Sequence, residues 1–412
     1  MYIKDSVELE GGKLRLAIAT FNFDPSRPGG VNSIVIQLLQ MIRQVVPVKI
    51  DIVSFSNVSY DSNSISLLRP KSYRNSLVVA DGLFQGSRII RVGSIGSELE
   101  FLRYRKRNEL KNFFGSYSAI IVVTGIIQFA NVIPKLRIPV IVQCATRLPW
   151  ERQSQYPSMG RGKRIILKMQ RPLLAIQELR VLRSPAIFLV ENRRMKKWVE
   201  SKAFHTPEIW YPGVEASQKK LYPDYSPSIR GHFISVGRLN DSRKGWERLF
   251  LAYKDSFDSN PKLPGLVVIG GGEFSKKMQE LVDEMIPSYP VKILRNASNI
   301  ERDRVMLSAS YFLQTSYEEG LGLAALEALS FGVPLICSDT DGSREYVVEG
   351  RSGTLVHQGE HFVKDFGKAI ARSQSWNYEA LHISSKELFG SKFSYEVSLE
   401  RLRVILKKVG VC

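Results

Sequence analysis

Short apolar runs alternating with helix-spaced segments recur along this chain and are interrupted once, and that rhythm restricts the fold more than any other feature. KLRLAIATFNF (13–23), VKIDIVSF (48–55), SRIIRVG (87–93), AIIVVTG (119–125), IPVIVQCA (138–145) and SPAIFLVEN (184–192) read as strands, while VNSIVIQLLQMIRQV (31–45) carries apolar positions at helical spacing. Such alternation favours a parallel sheet with helices on both faces. YPGVEASQKKLYPDYSPSIRG (211–231), rich in Pro, Ser and Tyr, breaks the pattern and reads as a linker. The alternation then restarts in HFISVGRL (232–239), GLVVIGGG (265–272), PVKILRN (290–296), YFLQTS (311–316), VPLICSD (333–339) and SGTLV (352–356).

The expectation is an α/β chain of two Rossmann-like, doubly wound domains, residues 1–212 and 232–392, joined by a linker at 213–231 and closed by an amphipathic helix within 393–412. The 412 residues suit two such cores. Two domains of this kind would meet in a central cleft, with ligands beyond the carboxyl ends of the strands.

Three widely spaced cysteines, Cys144, Cys337 and Cys412, suggest neither a disulfide framework nor a zinc site, and fit a reducing, cytoplasmic setting. MYIKDSVELEGGKLRLAIA has acids where an export signal needs an apolar core. GSYSAIIVVTGIIQFANVIP (115–134) is uncharged, but Gly125, Gln128, Asn131 and Pro134 make it a buried strand plus a turn rather than a membrane span.

Three constellations carry chemistry. In YEEGLGLAALEALSFGVPLICSD (317–339), a strand delivers Glu318 and Glu319 into a Gly-x-Gly loop before a helix that carries Glu327. Bare amides at such a helix start suit phosphate or hydroxyl oxygens. Were residues 319–327 wholly helical, the two acids would stand about 12 Å apart along the axis. Carboxylates sharing one glycosidic centre stand roughly 5–9.5 Å apart, so an acid/base pair is disfavoured and a clamp on an elongated ligand fits better. The alternative is that Glu318 and Glu319 partner a helix dipole and Glu327 is merely solvated. ISVGRLNDSRKGWERL (234–249) places Arg238 and Lys244 after a strand, as a diphosphate site would, although an exposed basic loop also explains them; it lacks the P-loop pattern. SRPGGVNS (26–33) sets Gly29-Gly30 before a helix without G-x-G-x-x-G, and IGGGE (269–273) likewise lacks that spacing.

Taken together, G-G-V after the first strand, V-G-R-L…K-G, G-G-G-E, E-G-L-G-L-A-A-L-E-A, G-V-P and D-G-S-R-E-Y-V-V-E-G-R-S-G-T-L-V resemble the retaining GT-B-type glycosyltransferases with the E-x-x-x-x-x-x-x-E motif, the glycosyl transferases group 1. The resemblance is dense over 232–356 and thin elsewhere. It implies a hexosyltransferase that uses a UDP- or GDP-sugar as donor substrate, with no cofactor and no metal. Arg238 and Lys244 would hold the donor diphosphate, Glu319 the transferred sugar, and Glu327 the ribose. Gly320, Leu321, Gly322 and Leu323 would present amides to sugar and phosphate, Gly29 and Gly30 would approach from the first domain, and Gly272 and Arg295 would lie by the base. Many relatives place a histidine in the first domain near the donor sugar, yet residues 1–204 contain none, and Gln143-Cys144-Ala145-Thr146 ends the strand where it would be sought.

The net charge of +18 is concentrated in the first half, where residues 1–212 hold 32 Lys+Arg against 15 Asp+Glu. Residues 147–183 interleave Arg147, Trp150, Tyr156, Met159, Arg161, Lys163, Arg164 and Lys168 with an Ile/Leu-rich helical stretch. That composition reads as a cationic amphipathic surface for a glycan or lipid-linked acceptor, or for peripheral contact with an anionic inner membrane face. A solvated charged surface is the plainer alternative, and nucleic acid is disfavoured because no groove-reading or stacking motif accompanies the charge. Three functions follow: a transferase building cell-surface polysaccharide or glycolipid, a transferase acting on a small soluble acceptor, or a non-catalytic nucleotide-sugar-binding module. An epimerase of the same fold is a weaker fourth.

Overall fold

The computed structural model describes residues 14–26, 29–155, 159–214 and 231–411, without the side chain of Lys163. The N-terminal stretch 1–13, Tyr156 and nearly all of the linker at 213–231 lie outside the described residues. The chain divides into two compact units: Met1–Arg152, Tyr156–Tyr211 and Leu399–Cys412 form the first, and Gln153–Gln155 with Pro212–Ser398 the second.

The first unit holds an eight-stranded sheet of β1 (Arg15–Phe21), β2 (Lys49–Phe55), β3 (Val78–Phe84), β4 (Ser87–Val92), β5 (Ala119–Ile126), β6 (Val140–Thr146), β7 (Ile187–Val190) and β8 (Glu208–Ile209). Their order is β3-β4-β2-β1-β5-β6-β7-β8. Every pairing is parallel except β3 with β4. β1, β2 and β5 are buried along nearly their whole length, as strands of a parallel sheet covered on both faces are. The uncharged stretch 115–134 forms β5 and a buried 3-10 turn, Ile127–Val132, and among the described residues no helix is long and apolar enough to cross a membrane.

Strand β3 escapes the sequence reading because it is an exposed edge, and its VVADGLF lacks an apolar face. It is made by a two-residue hairpin in which Gln85 (φ 46°) and Gly86 (φ 75°) both take the left-handed conformation. Helix α1 (Gly30–Val45) buries Ile34, Val35, Leu38, Leu39, Met41 and Ile42, the face its spacing predicts. Further along lie α2 (Arg161–Leu182) and α3 (Arg193–Glu200), the latter N-capped by Asn192, whose side chain accepts the Met195 amide.

The second unit holds β9 (His232–Val236), β10 (Gly265–Gly270), β11 (Val291–Arg295), β12 (Ala309–Gln314), β13 (Leu335–Ser338) and β14 (Gly353–Val356), all parallel, in the order β11-β10-β9-β12-β13-β14. The numbering reverses between β9 and β12, so the crevice beyond their carboxyl ends is the topological switch point of this sheet. Around it stand α4 (Trp246–Ser259), α5 (Asn299–Leu307) and α6 (Leu323–Ser330). The last helix, α7 (Tyr395–Lys408), groups with the first unit from Leu399 onward, where Lys408 Nζ lies 2.6 Å from Glu208 Oε1.

Candidate functional site

At the switch point of the second sheet, two loops carry charge toward each other. β9 runs out into Gly237-Arg238, turns through Asp241 into a 3-10 turn (Ser242–Lys244), and enters α4 at Gly245. β12 runs out into Thr315-Ser316 and then Tyr317-Glu318-Glu319 before α6. Gly245 has φ +67°, and a Cβ there would stand 2.3 Å from the Thr315 carbonyl oxygen. Only glycine lets the two loops approach so closely.

Lys244 Nζ lies 2.6 Å from Glu319 Oε1. The same oxygen accepts from Ser316 Oγ at 2.7 Å and from Gln314 Nε2 at 3.1 Å, and Gln314 Oε1 in turn accepts from Tyr346 Oη at 3.0 Å. Burial alone would raise the Glu319 pKa, but Lys244, the hydroxyl of Ser316 and the charge of Arg243 hold it below its ordinary value. Glu319 is therefore an ionised, oriented carboxylate, and a poor proton donor.

Arg238 remains 56% exposed, with Nη2 2.7 Å from Asp241 Oδ2. Asp241 also takes Arg243, through Nε at 2.9 Å and Nη2 at 2.8 Å. Although burial raises its pKa, Arg243 and Arg238 drive the net value well below the usual carboxylate range. Asp241 thus steers Arg238 without neutralising the loop, which carries three cations against this one acid.

Below the two loops, Arg248 of α4 donates through Nε to Thr315 O and through Nη1 to Gln358 Oε1, sandwiched 3.8 Å from the Tyr317 ring and 4.0 Å from that of Phe362. Burial lowers its pKa to about 10. Gln358 Nε2 completes the brace by donating to Tyr317 O at 2.9 Å.

Glu319 precedes α6 rather than lying on it, because Gly322, at φ +92°, is the N-cap. A Cβ at Gly322 would meet Tyr346 Oη at 2.6 Å and Gln314 Nε2 at 3.1 Å. Leu321 is buried, so it offers a ligand only backbone, and Leu323 opens α6, whose first turn holds no acid. Glu318 lies outside that turn, which removes the helix-dipole reading for it. Glu327, on α6, has different company: Arg302 Nη1 of α5 stands 3.5 Å from its Oε2. Burial raises the Glu327 pKa, which Arg302 opposes and Asp303 reinforces. The two acids therefore have separate partner sets and separate protonation tendencies, as ligands for different parts of one molecule would.

The loop after β10 joins the cluster. Leu239 N donates to Gly271 O at 2.9 Å, and a Cβ on Gly272 (φ +83°) would sit 3.1 Å from Asn240 Cγ. Arg295, ending β11, pairs with Glu273 at 3.3 Å and donates to Gln279 Oε1 at 2.6 Å. The switch point thus gathers Arg238, Lys244, Gly272, Glu319 and the α6 start, with Glu327 and Arg295 on adjoining elements.

In the first unit, Gly29 is the N-cap of α1 and Gly30 its first residue. Arg147 forks onto Glu178 of α2, with Nε at 3.0 Å and Nη2 at 2.7 Å, and lies 3.9 Å over the Trp198 ring. Trp150 packs edge-on to Trp198 and receives Arg194 at 4.0 Å. Arg147 and Trp150 are thus committed to a cation–aromatic cluster, whereas Arg161 and Lys168 are exposed and Arg164 donates to Met159 O. Where a histidine would have been sought, Gln143 donates to Glu191, a fully enclosed carboxyl whose pKa burial pushes up to about 7.

Sequence reasoning missed Gln314, Ser316, Asp241, Arg302 and Arg248. One signal was present: the apolar strand YFLQTS ends in three consecutive polar residues, all buried. Among the described residues no group of His, Cys, Asp and Glu could hold a metal.

Residues 227–378 match the family described as glycosyl transferases group 1. Over 182 residues the chain is 26% identical to an alpha-1,3/1,6-mannosyltransferase of Dictyostelium discoideum, covering 43% of this chain and 40% of that protein. Over 208 residues it is 28% identical to a D-inositol 3-phosphate glycosyltransferase of Corynebacterium jeikeium, covering 48% and 47%. The matches thus span less than half the length of these curated relatives. In three dimensions it is similar to the sucrose-phosphate synthase of Thermosynechococcus elongatus (TM-score 0.69, 17% identity, 96% of this chain and 99% of that one). It is also similar to WaaG, a glycosyltransferase involved in lipopolysaccharide biosynthesis (TM-score 0.62, 15% identity, 95% and 99%).

Proposed function

We propose that the chain is a retaining, metal-independent hexosyltransferase of the glycosyl transferases group 1 that uses a nucleotide-sugar; the match of residues 227–378 to that family and the likeness of the fold to GT-B glycosyltransferases support this. The observation that carries this reading is the Lys244–Glu319 pair at the switch point, with Arg238 exposed beside it.

The donor diphosphate lies against Arg238 and Lys244. The guanidinium binds phosphate oxygens in a fork, and the Lys244 ammonium has donors to spare beyond the one it gives Glu319. These cations stabilise charge as the sugar–phosphate bond breaks, the work a metal does in other transferases. Glu319, held ionised, accepts from hydroxyls of the transferred sugar, and the amides of Gly320 to Leu323 add donors at the α6 start. Glu327 accepts from the ribose hydroxyls, and Arg295 and Gly272 lie toward the base. The leaving phosphate takes the acceptor proton on the same face, so the anomeric configuration is kept and no protein base is needed.

The acceptor is a glycan or lipid-linked glycan in cell-surface polysaccharide or glycolipid synthesis, met at an anionic cytoplasmic membrane face; the basic first unit supports this. The absence of histidine from residues 1–204 supports a second reading, a nucleotide-sugar-binding module without turnover.

A thermal-shift screen against UDP-, GDP-, ADP- and dTDP-sugars tests both, since a ligand of the native state raises Tm. Stabilisation by one base class with nucleotide release supports the transferase, and stabilisation without release supports the module. If no nucleotide-sugar shifts Tm or is turned over, both readings fail.

A further inference from the structure

Glu319 and Glu327 differ in how much of each carboxylate is already used. Three donors, from Lys244, Ser316 and Gln314, converge on Glu319 Oε1. Among the described residues none donates a hydrogen bond to either side-chain oxygen of Glu327, whose ion-pair partner is Arg302, with Nη1 3.5 Å from Oε2. Ser298 sets Arg302 in place: it caps α5 by accepting the Glu301 amide at 3.1 Å, and one turn on the Arg302 amide donates to Ser298 O at 2.9 Å. A guanidinium free to move would close a fork on the carboxylate. Here Asp303, itself buried, accepts from Nε at 3.1 Å and from Nη2 at 2.9 Å on its Oδ1, and so holds the guanidinium back. Glu327 is left with a cation beside it and two open oxygens.

We propose that Arg302 is the positioning residue for the nucleotide end of the site: anchored by Asp303, it holds the Glu327 carboxylate with both oxygens open to the vicinal hydroxyls of a ribose, so that the site takes a ribonucleotide and rejects its 2′-deoxy counterpart. This rests on the nucleotide-sugar reading and adds to it the class of nucleotide, a ribonucleoside diphosphate. Two adjacent hydroxyls can each donate to one oxygen of a carboxylate. A 2′-deoxyribose leaves one oxygen unpaired, and a site built for a hydroxyl discriminates against its absence. Arg302 is needed because burial and Asp303 both favour the protonated form of Glu327, and Arg302 is the charge that opposes them. Of the further elements packed on α6, β12 and β13 hold no acid, lysine, arginine or histidine. On the helix Tyr378–Lys392, His382, which Lys386 faces, lies against Gly332 beyond the last turn of α6, and Lys392 donates to Glu345 O.

The test is isothermal titration of the full chain with UDP, GDP and ADP and with their 2′-deoxy counterparts, on the wild type, R302Q and R302K, with Tm measured for each. The wild type should bind its ribonucleotide about tenfold or more tighter than the deoxy form. R302Q should lose about tenfold in affinity together with most of that discrimination. Its binding should also weaken more steeply than the wild type's as pH falls from about 8 to about 5.5, because its Glu327 keeps a proton to higher pH. R302K retains the charge without the fork to Asp303, and should recover much of the affinity and the shallower pH profile. A merely structural Arg302 would lower Tm and leave ribose discrimination unmoved. Where R302Q does not fold, D303N carries the test: loosened, the guanidinium closes on Glu327, and ribonucleotide binding should weaken roughly fivefold. The proposal is overturned if the wild type binds ribo- and deoxyribonucleotide equally, if R302Q keeps wild-type affinity and discrimination, or if D303N binds as the wild type does. A wild type that binds none of these nucleotides overturns the nucleotide-sugar reading and this inference with it, whereas discrimination that survives in R302Q overturns the inference alone.

Discussion

Lys244 Nζ and Glu319 Oε1 are 2.6 Å apart although 75 residues separate them, because β9 and β12 are neighbours in the sheet and their outgoing loops converge. The pair joins the two loops that would hold opposite ends of a sugar–diphosphate bond.

Substituting Lys244→Met should leave Glu319 buried without its cation and lower stability by up to about 3 kcal/mol, whereas K244M/E319Q should cost less than the sum of the single changes. Denaturant unfolding of the four proteins measures this coupling. The sign of the pH dependence follows from the lowered pKa of Glu319. Its stabilisation is present above its ordinary 4.5 and fades as pH falls through the lower folded value. The E319Q variant should therefore lose less stability than the wild type between pH 5 and pH 3.

For Glu327 the shift is reversed, since burial raises it above 4.5. The folded protein then holds a proton longer than the unfolded chain, so this group favours folding more as pH falls toward 4.5. Glu327→Gln should leave stability at pH 7 equal or higher while weakening nucleotide affinity about tenfold through loss of a charged acceptor. Isothermal titration with the nucleotide identified by the screen reads it, and unchanged affinity would sink the ribose role.

Gly322→Ala should lower stability by about 1–3 kcal/mol, since φ is +92° and the new methyl would stand 2.6 Å from the buried Tyr346 hydroxyl. Displacing Tyr346 also releases Gln314 from Glu319. Thermal unfolding reads the first effect, and a rise in donor KM exceeding any fall in kcat reads the second.

Arg147 and Lys168 come from the same basic stretch but should behave differently. Arg147→Ala strips Glu178 of its fork and Trp198 of its cation, and should cost about 2–4 kcal/mol. Lys168→Ala, at an exposed position, should stay within about 0.5 kcal/mol. Equal losses in chemical denaturation would refute the assignment of Arg147 to the packed cluster.

Glu191, pushed up to about 7 by burial, keeps its proton in the folded chain after the unfolded chain has lost it. Stability therefore declines as pH rises from about 4.5 to 7 and stays lower beyond, by on the order of 3 kcal/mol at most. Glu191→Gln should flatten that decline, making the variant the more stable protein at pH 8 and about equal at pH 4, as urea midpoints would show.

The strands and their breaks could be read from local pattern because a strand buried on both faces is predominantly apolar, as β5 (AIIVVTGI) is. The edge strand β3 has no such constraint and was invisible. The Gly-x-Gly loop and the spacing of Glu319 and Glu327 were legible for a related reason: glycine at φ +92° leaves a local signature. The identity of their partners was not.

By itself, the sequence of this protein determined two doubly wound α/β domains, the switch-point loops and a cationic excess in the first of them. Tertiary structure alone decided that Glu319 answers to Lys244, Ser316 and Gln314, that Glu327 answers to Arg302, and that Arg147 is consumed by Glu178. The physical reason is range. Burial periodicity is written within each element, but which charges meet depends on strand order and helix docking, which bring together residues far apart in the chain.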